Sequence, residues 1–232
     1  MKITTLNLQG FTNWQQRKSE ILAYLTETKP DIILFQEVVF IPEISPFNQA
    51  QLLNQELRYP YEHSSVTRLQ NSTEHTIFRE GLAILSKHPL SKTETIVLKK
   101  DPADEHNRIV QLVDVLMDGQ PVLLANVHFS ITDNQDFATP QLIETLDTID
   151  AKGEQRVIAG DFNLDHLEAM TNIWSDQYEA STQVPYISFP SWNKRNDYFL
   201  VPKNFVFEEI TTSGDALSDH RAVTVKIGTT HK

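Results

Sequence analysis

Several short apolar runs in this 232-residue chain end on side chains that can bind a metal ion or a phosphate. Asn7 lies in Leu6-Asn7-Leu8-Gln9, and Glu37 follows Gln36 at the end of an apolar stretch. His128 closes Asn126-Val127-His128, Gly160-Asp161-Phe162-Asn163 follows another run, and Ser218-Asp219-His220 precedes the last one. Carboxylates with amides form a hard donor set suited to Mg²⁺ or Mn²⁺, which keep waters and bind phosphate oxygens. A carboxylate repels an anionic phosphodiester unless a cation lies between them. Beside an attacking water, however, it can take the proton, while imidazolium and amide N–H groups stabilise charge on the phosphate oxygens. A closed zinc site would call for more histidine or some cysteine, and no His-Glu-x-x-His occurs. Ser218, Asp219 and His220 are consecutive, so they cannot form a nucleophilic triad, and there is no Gly-x-Ser-x-Gly. Taken singly, each residue also fits an ordinary duty: a strand-edge amide, a helix-cap partner, a turn former or a hydrogen-bonded histidine. Their order along one chain sets them apart.

The elements that must position them follow from periodicity. Strands are predicted over Lys2–Leu8, Asp31–Val38, Gly81–Ser86, Lys92–Leu98, Ile109–Leu116, Pro121–His128, Arg156–Ala159, Tyr198–Val201, Phe205–Thr211 and Ala222–Ile227. Asp118-Gly119 is a hairpin signal. Helices are predicted over Asn13–Thr28, stopped by Pro30, and over Pro46–Leu57. A third begins at a Thr139 cap with Pro140 in its first turn and ends at Gly153, and a short one covers His166–Trp174. Many strands with few amphipathic helices indicate the α+β class, two packed sheets with helices outside them.

Composition narrows the field. The length fits one domain over residues 1–232, with 40% hydrophobic residues to form a core. The absence of cysteine excludes disulfide scaffolds, thiolate metal sites and a cysteine nucleophile. No apolar run approaches the roughly 18 residues of a membrane span. The start, Met1-Lys2-Ile3-Thr4, has no apolar signal core, so a cytoplasmic location is expected. Net charge is −11, and residues 101–189 alone hold 3 Lys/Arg against 16 Asp/Glu. A global basic footprint for nucleic acid is therefore missing. Locally, Lys87, Lys92, Lys99, Lys100, Lys194 and Arg195 are candidates for lining a groove, and Trp192 beside them could stack a base or simply pack.

In sequence order, Asn7, Gln36-Glu37, Gly81-Leu82-Ala83-Ile84-Leu85-Ser86, His128, Gly160-Asp161-Phe162-Asn163, Asp197-Tyr198-Phe199-Leu200 and Ser218-Asp219-His220 resemble the endonuclease/exonuclease/phosphatase superfamily. That group includes exonuclease III, deoxyribonuclease I, neutral sphingomyelinases, inositol polyphosphate 5-phosphatases and deadenylases. The resemblance spans residues 2–227 and implies a four-layer α/β/β/α sandwich with its site at one end of two mixed sheets. It implies that Glu37 holds a divalent metal (Mg²⁺ or Mn²⁺), helped by Asn7 and Asp219, with Gln36 behind them. It implies that Asp161 orients or deprotonates the water and that Asn163 and His128 contact the phosphate. His220, oriented by Asp197, would serve as acid, base or charge stabiliser. Two departures stand out: Asn196 precedes Asp197 where the group has an apolar residue, and Phe129-Ser130 follow His128. Arg108 has no fixed counterpart and reads as structural or surface.

A metal-dependent phosphodiesterase acting on nucleic acid, most simply a nuclease working as a monomer with no membrane partner, is the leading expectation. The alternatives are a phosphatase or phosphodiesterase for a small-molecule or lipid head-group phosphate, and a non-catalytic binding protein on the same fold. The missing membrane-docking hairpin argues against a sphingomyelinase. The intact polar set argues against a binding protein.

Overall fold

The computed structural model describes residues 1–70, 78–104, 106–131 and 135–230. Its twelve strands are β1 (Lys2–Asn7), β2 (Ile32–Phe40), β3 (Tyr61–Gln70), β4 (Phe78–Ser86), β5 (Leu90–Val97), β6 (Ile109–Met117), β7 (Gln120–His128), β8 (Val157–Asp161), β9 (Tyr178–Ala180), β10 (Asp197–Pro202), β11 (Phe205–Thr212) and β12 (Val223–Thr229). The helices are α1 (Trp14–Thr28), α2 (Gln49–Leu57), α3 (Ala138–Ala151) and the single turn α4 (Thr171–Trp174), with short 3₁₀ turns between β8 and β10. The strands form two six-stranded mixed sheets, ordered β11-β12-β1-β2-β4-β3 and β5-β6-β7-β8-β10-β9. Each sheet contains one parallel pair, β1 with β2 and β7 with β8. Each parallel pair is joined by a helix, α1 or α3, because parallel neighbours require a crossover.

Alternation along the strands makes the layers. In β2, Ile32 and Leu34 face the other sheet, packing with Ile3, Ile84, Val113, Leu124, Val157 and Phe199. The intervening Ile33 and Phe35 pack under α1 and α2 with Trp14, Ile21, Leu25 and Leu53. On the far side Leu112, Ala125, Val127 and Ile158 pack under α3 with Leu142 and Ile149. A continuous apolar run is therefore what a strand between two apolar layers requires. The expected four-layer sandwich of two mixed sheets flanked by helices is the observed architecture.

Local chemistry explains most boundaries. Asn48 caps α2 in a reciprocal box with Gln51, and Lys29 in the left-handed region followed by Pro30 ends α1. Asp118 and Gly119 both take positive φ, the requirement of a tight hairpin turn. The cap of α3 corrects the sequence reading: Thr139 lies inside the helix, and its backbone N–H donates to Asp136 Oδ1 at 2.9 Å. Two strands escaped the sequence reading. β3 is an edge strand rich in polar residues, and β9 has only three residues. Several strands also run further than expected, among them β2 to Phe40, β4 from Phe78 and β8 through Gly160-Asp161.

That extension of β8 depends on Gly160. Its φ is +146°, and a Cβ there would lie 2.0 Å from the Val127 carbonyl oxygen of β7. Only glycine lets the two parallel backbones approach this closely. Gly160→Ala should lower unfolding free energy by more than about 3 kcal/mol. Gly153→Ala, at a positive φ with open space around it, should cost about 1 kcal/mol. Urea denaturation of both variants checks the contrast.

Candidate active site

Strand register assembles the site. In the second sheet His128, Asp161 and Asp197 are direct partners across β7, β8 and β10, so their side chains leave the same face of neighbouring strands. In the first sheet Asn7 pairs with Gln36 at the end of β1, both facing the second sheet. Glu37 needs a special device. Phe35 pairs with Ala83 and Val38 with Gly81, so Gln36 and Glu37 together oppose Leu82 in a bulge. The bulge puts Glu37 at φ +53°. Phe35 and Val38 both pack under the helices. The extra residue removes Glu37 from the alternation and re-aims its carboxylate at the rim.

These ends meet around one cleft. Asn7 Nδ2 donates to Glu37 Oε1 at 3.2 Å and to Asp161 Oδ2 at 3.0 Å, tying the two sheets together. The Asn163 backbone N–H donates to Asp161 Oδ1 at 3.0 Å, and Asn163 Nδ2 donates to the Phe129 carbonyl at 2.8 Å. His220 Nδ1 is 2.7 Å from Asp197 Oδ2, and its Nε2 is 3.7 Å from Asp161 Oδ2. His128 Nε2 lies 3.7 Å from the same Asp161 oxygen and 3.8 Å from Glu37 Oε1. Asp219 lines the cleft, and its Oδ1 accepts from Ser218 Oγ at 3.0 Å.

Burial and crowding set the charges. Burial first, then repulsion from Glu80, pushes the Glu37 carboxyl up to about 7, against the pull of Asn7. Burial likewise raises Asp161, with His220 opposing. For His220 burial acts downward, but Asp197, Asp161 and the hydrogen bond to Asp197 outweigh it and lift the imidazole to about 10. His128 goes the opposite way, held well below the ordinary histidine range by burial and by the nearby positive charge of Arg108. One imidazole is therefore held charged and the other neutral.

The donor set fits a hard divalent cation. Glu37, Asp161 and Asp219 face the cleft with no lysine or arginine paired to them within 4.0 Å among the described residues, a crowding of carboxylates that a cation would relieve. Asp161, Asp197 and His220 also bring potential ligand atoms within 4.8 Å of one another. Because Asp197 already engages His220 Nδ1, that trio reads as a carboxylate–imidazole pair beside a second carboxylate.

The model of the Endonuclease/Exonuclease/phosphatase family matches residues 4–220. The chain belongs to this family. No curated protein matches the sequence. Among solved structures, an endonuclease/exonuclease/phosphatase from Beutenbergia cavernae is 18% identical with TM-score 0.80, covering 99% of this chain and 71% of its own. The human Nocturnin catalytic domain is 18% identical with TM-score 0.73, covering 99% and 94%. Sphingomyelinase C from Streptomyces griseocarneus is 21% identical with TM-score 0.69, covering 97% and 98%. Identities this low establish the shared sandwich. Family members are hydrolases of phosphoester bonds, dependent on a divalent metal.

Within the family frame, Asn7, Glu37, His128, Asp161, Asn163, Asp197, Asp219 and His220 all converge on the cleft or directly behind it. Gln36 lies deeper, donating to Asn126 Oδ1 at 2.8 Å and to Thr5 Oγ1 at 3.0 Å. Asn196, the departure from the family pattern, lines the cleft, and its carbonyl accepts from the Phe162 N–H. Arg108 is not on the surface: it is 4% exposed, paired with Asp104 at 2.8 Å, and its Nη1 is buried with no partner among the described residues. The basic groove is not assembled as expected. Lys87 pairs with Asp31, at the end of β2 away from Glu37, and Lys92 with Glu94 and Glu154 before β8. Arg195 lies over the Tyr186 ring, and of the six basic candidates Lys194 alone lines the cleft.

Two supporting residues had no signal in the sequence, and a third, Asn126, was visible there only as part of a strand end. Arg17, on the buried face of α1, donates to the carbonyls of Leu8, Thr12 and Leu217, joining the segment after Asn7 to the one before Asp219. Asn126 donates to Gln111, Phe35 and Ala83, bridging the sheets beneath the site. Ser188 Oγ accepts from the backbone N–H groups of Asn196 and Asp197. A buried arginine on an amphipathic helix reads as surface, and a serine in a loop reads as linker.

Because Asp197 contributes both charge and a hydrogen bond to His220, Asp197→Asn should bring the His220 midpoint down by about 1–3 pH units. Ring-proton NMR titration of the ion-free protein measures it.

Proposed function

We propose that this protein is a divalent-metal-dependent phosphodiesterase, with nucleic acid as the first substrate class to test. The observation that carries the reading is the His220–Asp197 pair facing Asp161, which Asn7 joins to Glu37. Glu37, Asn7 and Asp219 would hold Mg²⁺ or Mn²⁺. When bound, the ion neutralises phosphoester charge and stabilises the leaving oxygen. Asp161, its Oδ1 fixed by the Asn163 N–H, orients the water and takes its proton. His220, held positive by Asp197, is a poor base and instead stabilises charge on the phosphate oxygens and protonates the leaving group. Neutral His128 and the remaining Asn163 amide proton act as hydrogen-bond donors to the phosphate. A small-molecule phosphoester is the second reading, favoured by the displacement of Lys87 and Lys92 to ion pairs away from the cleft.

Asp161→Asn and His220→Gln should each lower kcat by about 10²–10⁴-fold while leaving the melting transition cooperative. The assay offers a bis-aryl phosphodiester, a plasmid, a short single strand and phosphomonoesters, with and without EDTA. Near-normal turnover in both variants would refute the assignment. Cleavage confined to small esters would move the substrate to the second reading.

Metal affinity should also depend on pH. Glu37 titrates near 7 without the ion, so below pH 7 a proton and the cation compete for it. Apparent Mn²⁺ affinity should fall about tenfold per pH unit under pH 7 and level off above it. Calorimetric titration at pH 6, 7 and 8 reads this directly, and Glu37→Gln should flatten the profile.

A further inference from the structure

Trp192 is 70% exposed, more than any other large apolar side chain among the described residues. It lines the active-site cleft, a space of about 260 Å³ that Glu37, Asp161 and His220 also border. An indole left in water forfeits the burial that normally places tryptophan in a core. The packing explanation open to a loop tryptophan is thereby removed. The backbone around it is braced. Residues Pro190–Trp192 form a 3₁₀ turn, closed where the Lys194 N–H donates to the Phe189 carbonyl at 3.1 Å and the Phe189 N–H returns to the Lys194 carbonyl at 2.9 Å. Asn193 closes it further, with φ +53° and its N–H on the Pro190 carbonyl. The same turn sets the Phe189 ring against His220, with centroids 4.7 Å apart. One short segment thus places one aromatic ring on the reactive imidazole and presents a second, bare ring at the cleft wall.

We infer that Trp192 is a stacking platform for a nucleobase attached to the phosphoester held at the site. This rests on the phosphodiesterase reading above and specifies its substrate. The neighbours favour a flat polar ring over a lipid chain. Lys194, whose ammonium is 3.9 Å from Asp165 at the edge of the same cleft, and Asn196 border it, and its other apolar lining residues are Ile131 and Phe189, the latter already against His220. A single indole with a cation beside it suits base stacking and phosphate contact, whereas insertion into a lipid surface draws on a cluster of apolar side chains. With Lys87 and Lys92 engaged elsewhere, recognition centres on one nucleotide unit at the cleft, without a long basic track.

Intrinsic fluorescence isolates the residue, because Trp14 and Trp174 are only 2% and 7% exposed. Nucleoside monophosphates added to the Asp161→Asn protein should quench the long-wavelength emission, and Trp192→Phe should abolish that signal. In the active protein with Mg²⁺, Trp192→Ala should raise KM for a dinucleoside phosphate by about 5- to 150-fold. Its preference for that dinucleotide over a base-free sugar-phosphate analogue should collapse, and Trp192→Phe should recover part of it. No quenching, with the same base preference in Trp192→Ala, would overturn the stacking role while continued hydrolysis left the phosphodiesterase reading standing. Quenching without hydrolysis of either ester would do the reverse. A blue shift on phosphatidylglycerol vesicles, with no response to nucleotides, would overturn the inference in favour of a lipid surface.

Discussion

Two carboxylates that repel each other, Glu37 and Asp161, are held at the join between two sheets by one amide, Asn7 Nδ2. The rest of the site is built around that constraint. Each carboxylate is pushed toward its neutral form by burial and by its neighbours. The structure opposes this with hydrogen bonds and with a charged imidazole, His220, whose own charge is secured by Asp197. Breaking a buried ionic group by removing one partner leaves the other uncompensated, so these residues act as a unit. The same crowding makes the cleft receptive to a cation.

The framework that tolerates this crowding lies one layer deeper. Gln36 of the first sheet, itself bonded to Thr5, donates to Asn126 of the second, which in turn reaches Gln111 and the carbonyls of Phe35 and Ala83. A satisfied amide network between apolar sheets fixes their relative register, because slippage would strand buried polar groups. Arg17 performs the corresponding task at the rim, where it gathers carbonyls from the segments that follow β1 and precede Asp219. Positioning thus comes from hydrogen bonds to neutral amide and carbonyl groups as much as from ion pairs.

The distribution of basic residues separates this cleft from an extended polyanion track. Lysines that look like a cluster in the sequence are divided by the topology, since the two ends of each strand lie on opposite rims of the sandwich. Lys87 and Lys92 follow β4 and lie within β5, at the ends of the sheets remote from Glu37, while Lys194 stays at the cleft. The wall beside the candidate site is mixed, with one exposed indole and one lysine paired to Asp165, and the proposed recognition of a single nucleotide unit rests on it.

The sequence by itself determined the fold class, most strand positions and the family. Alternation and apolar runs report burial, and the family pattern nominates Asn7, Glu37, His128, Asp161, Asp197 and His220 as candidate site residues, which the structure brings to one cleft. It could not place what depends on contacts between distant segments. The bulge that turns Glu37 to the rim, the glycine that lets β7 and β8 approach, and the bracing by Arg17, Asn126 and Ser188 were decided by tertiary structure. So were the dispersal of the lysines and the exposure of Trp192. The reason is physical: periodicity encodes which face of an element is buried, whereas hydrogen-bond partners and electrostatic neighbours exist only once separate strands have been brought side by side.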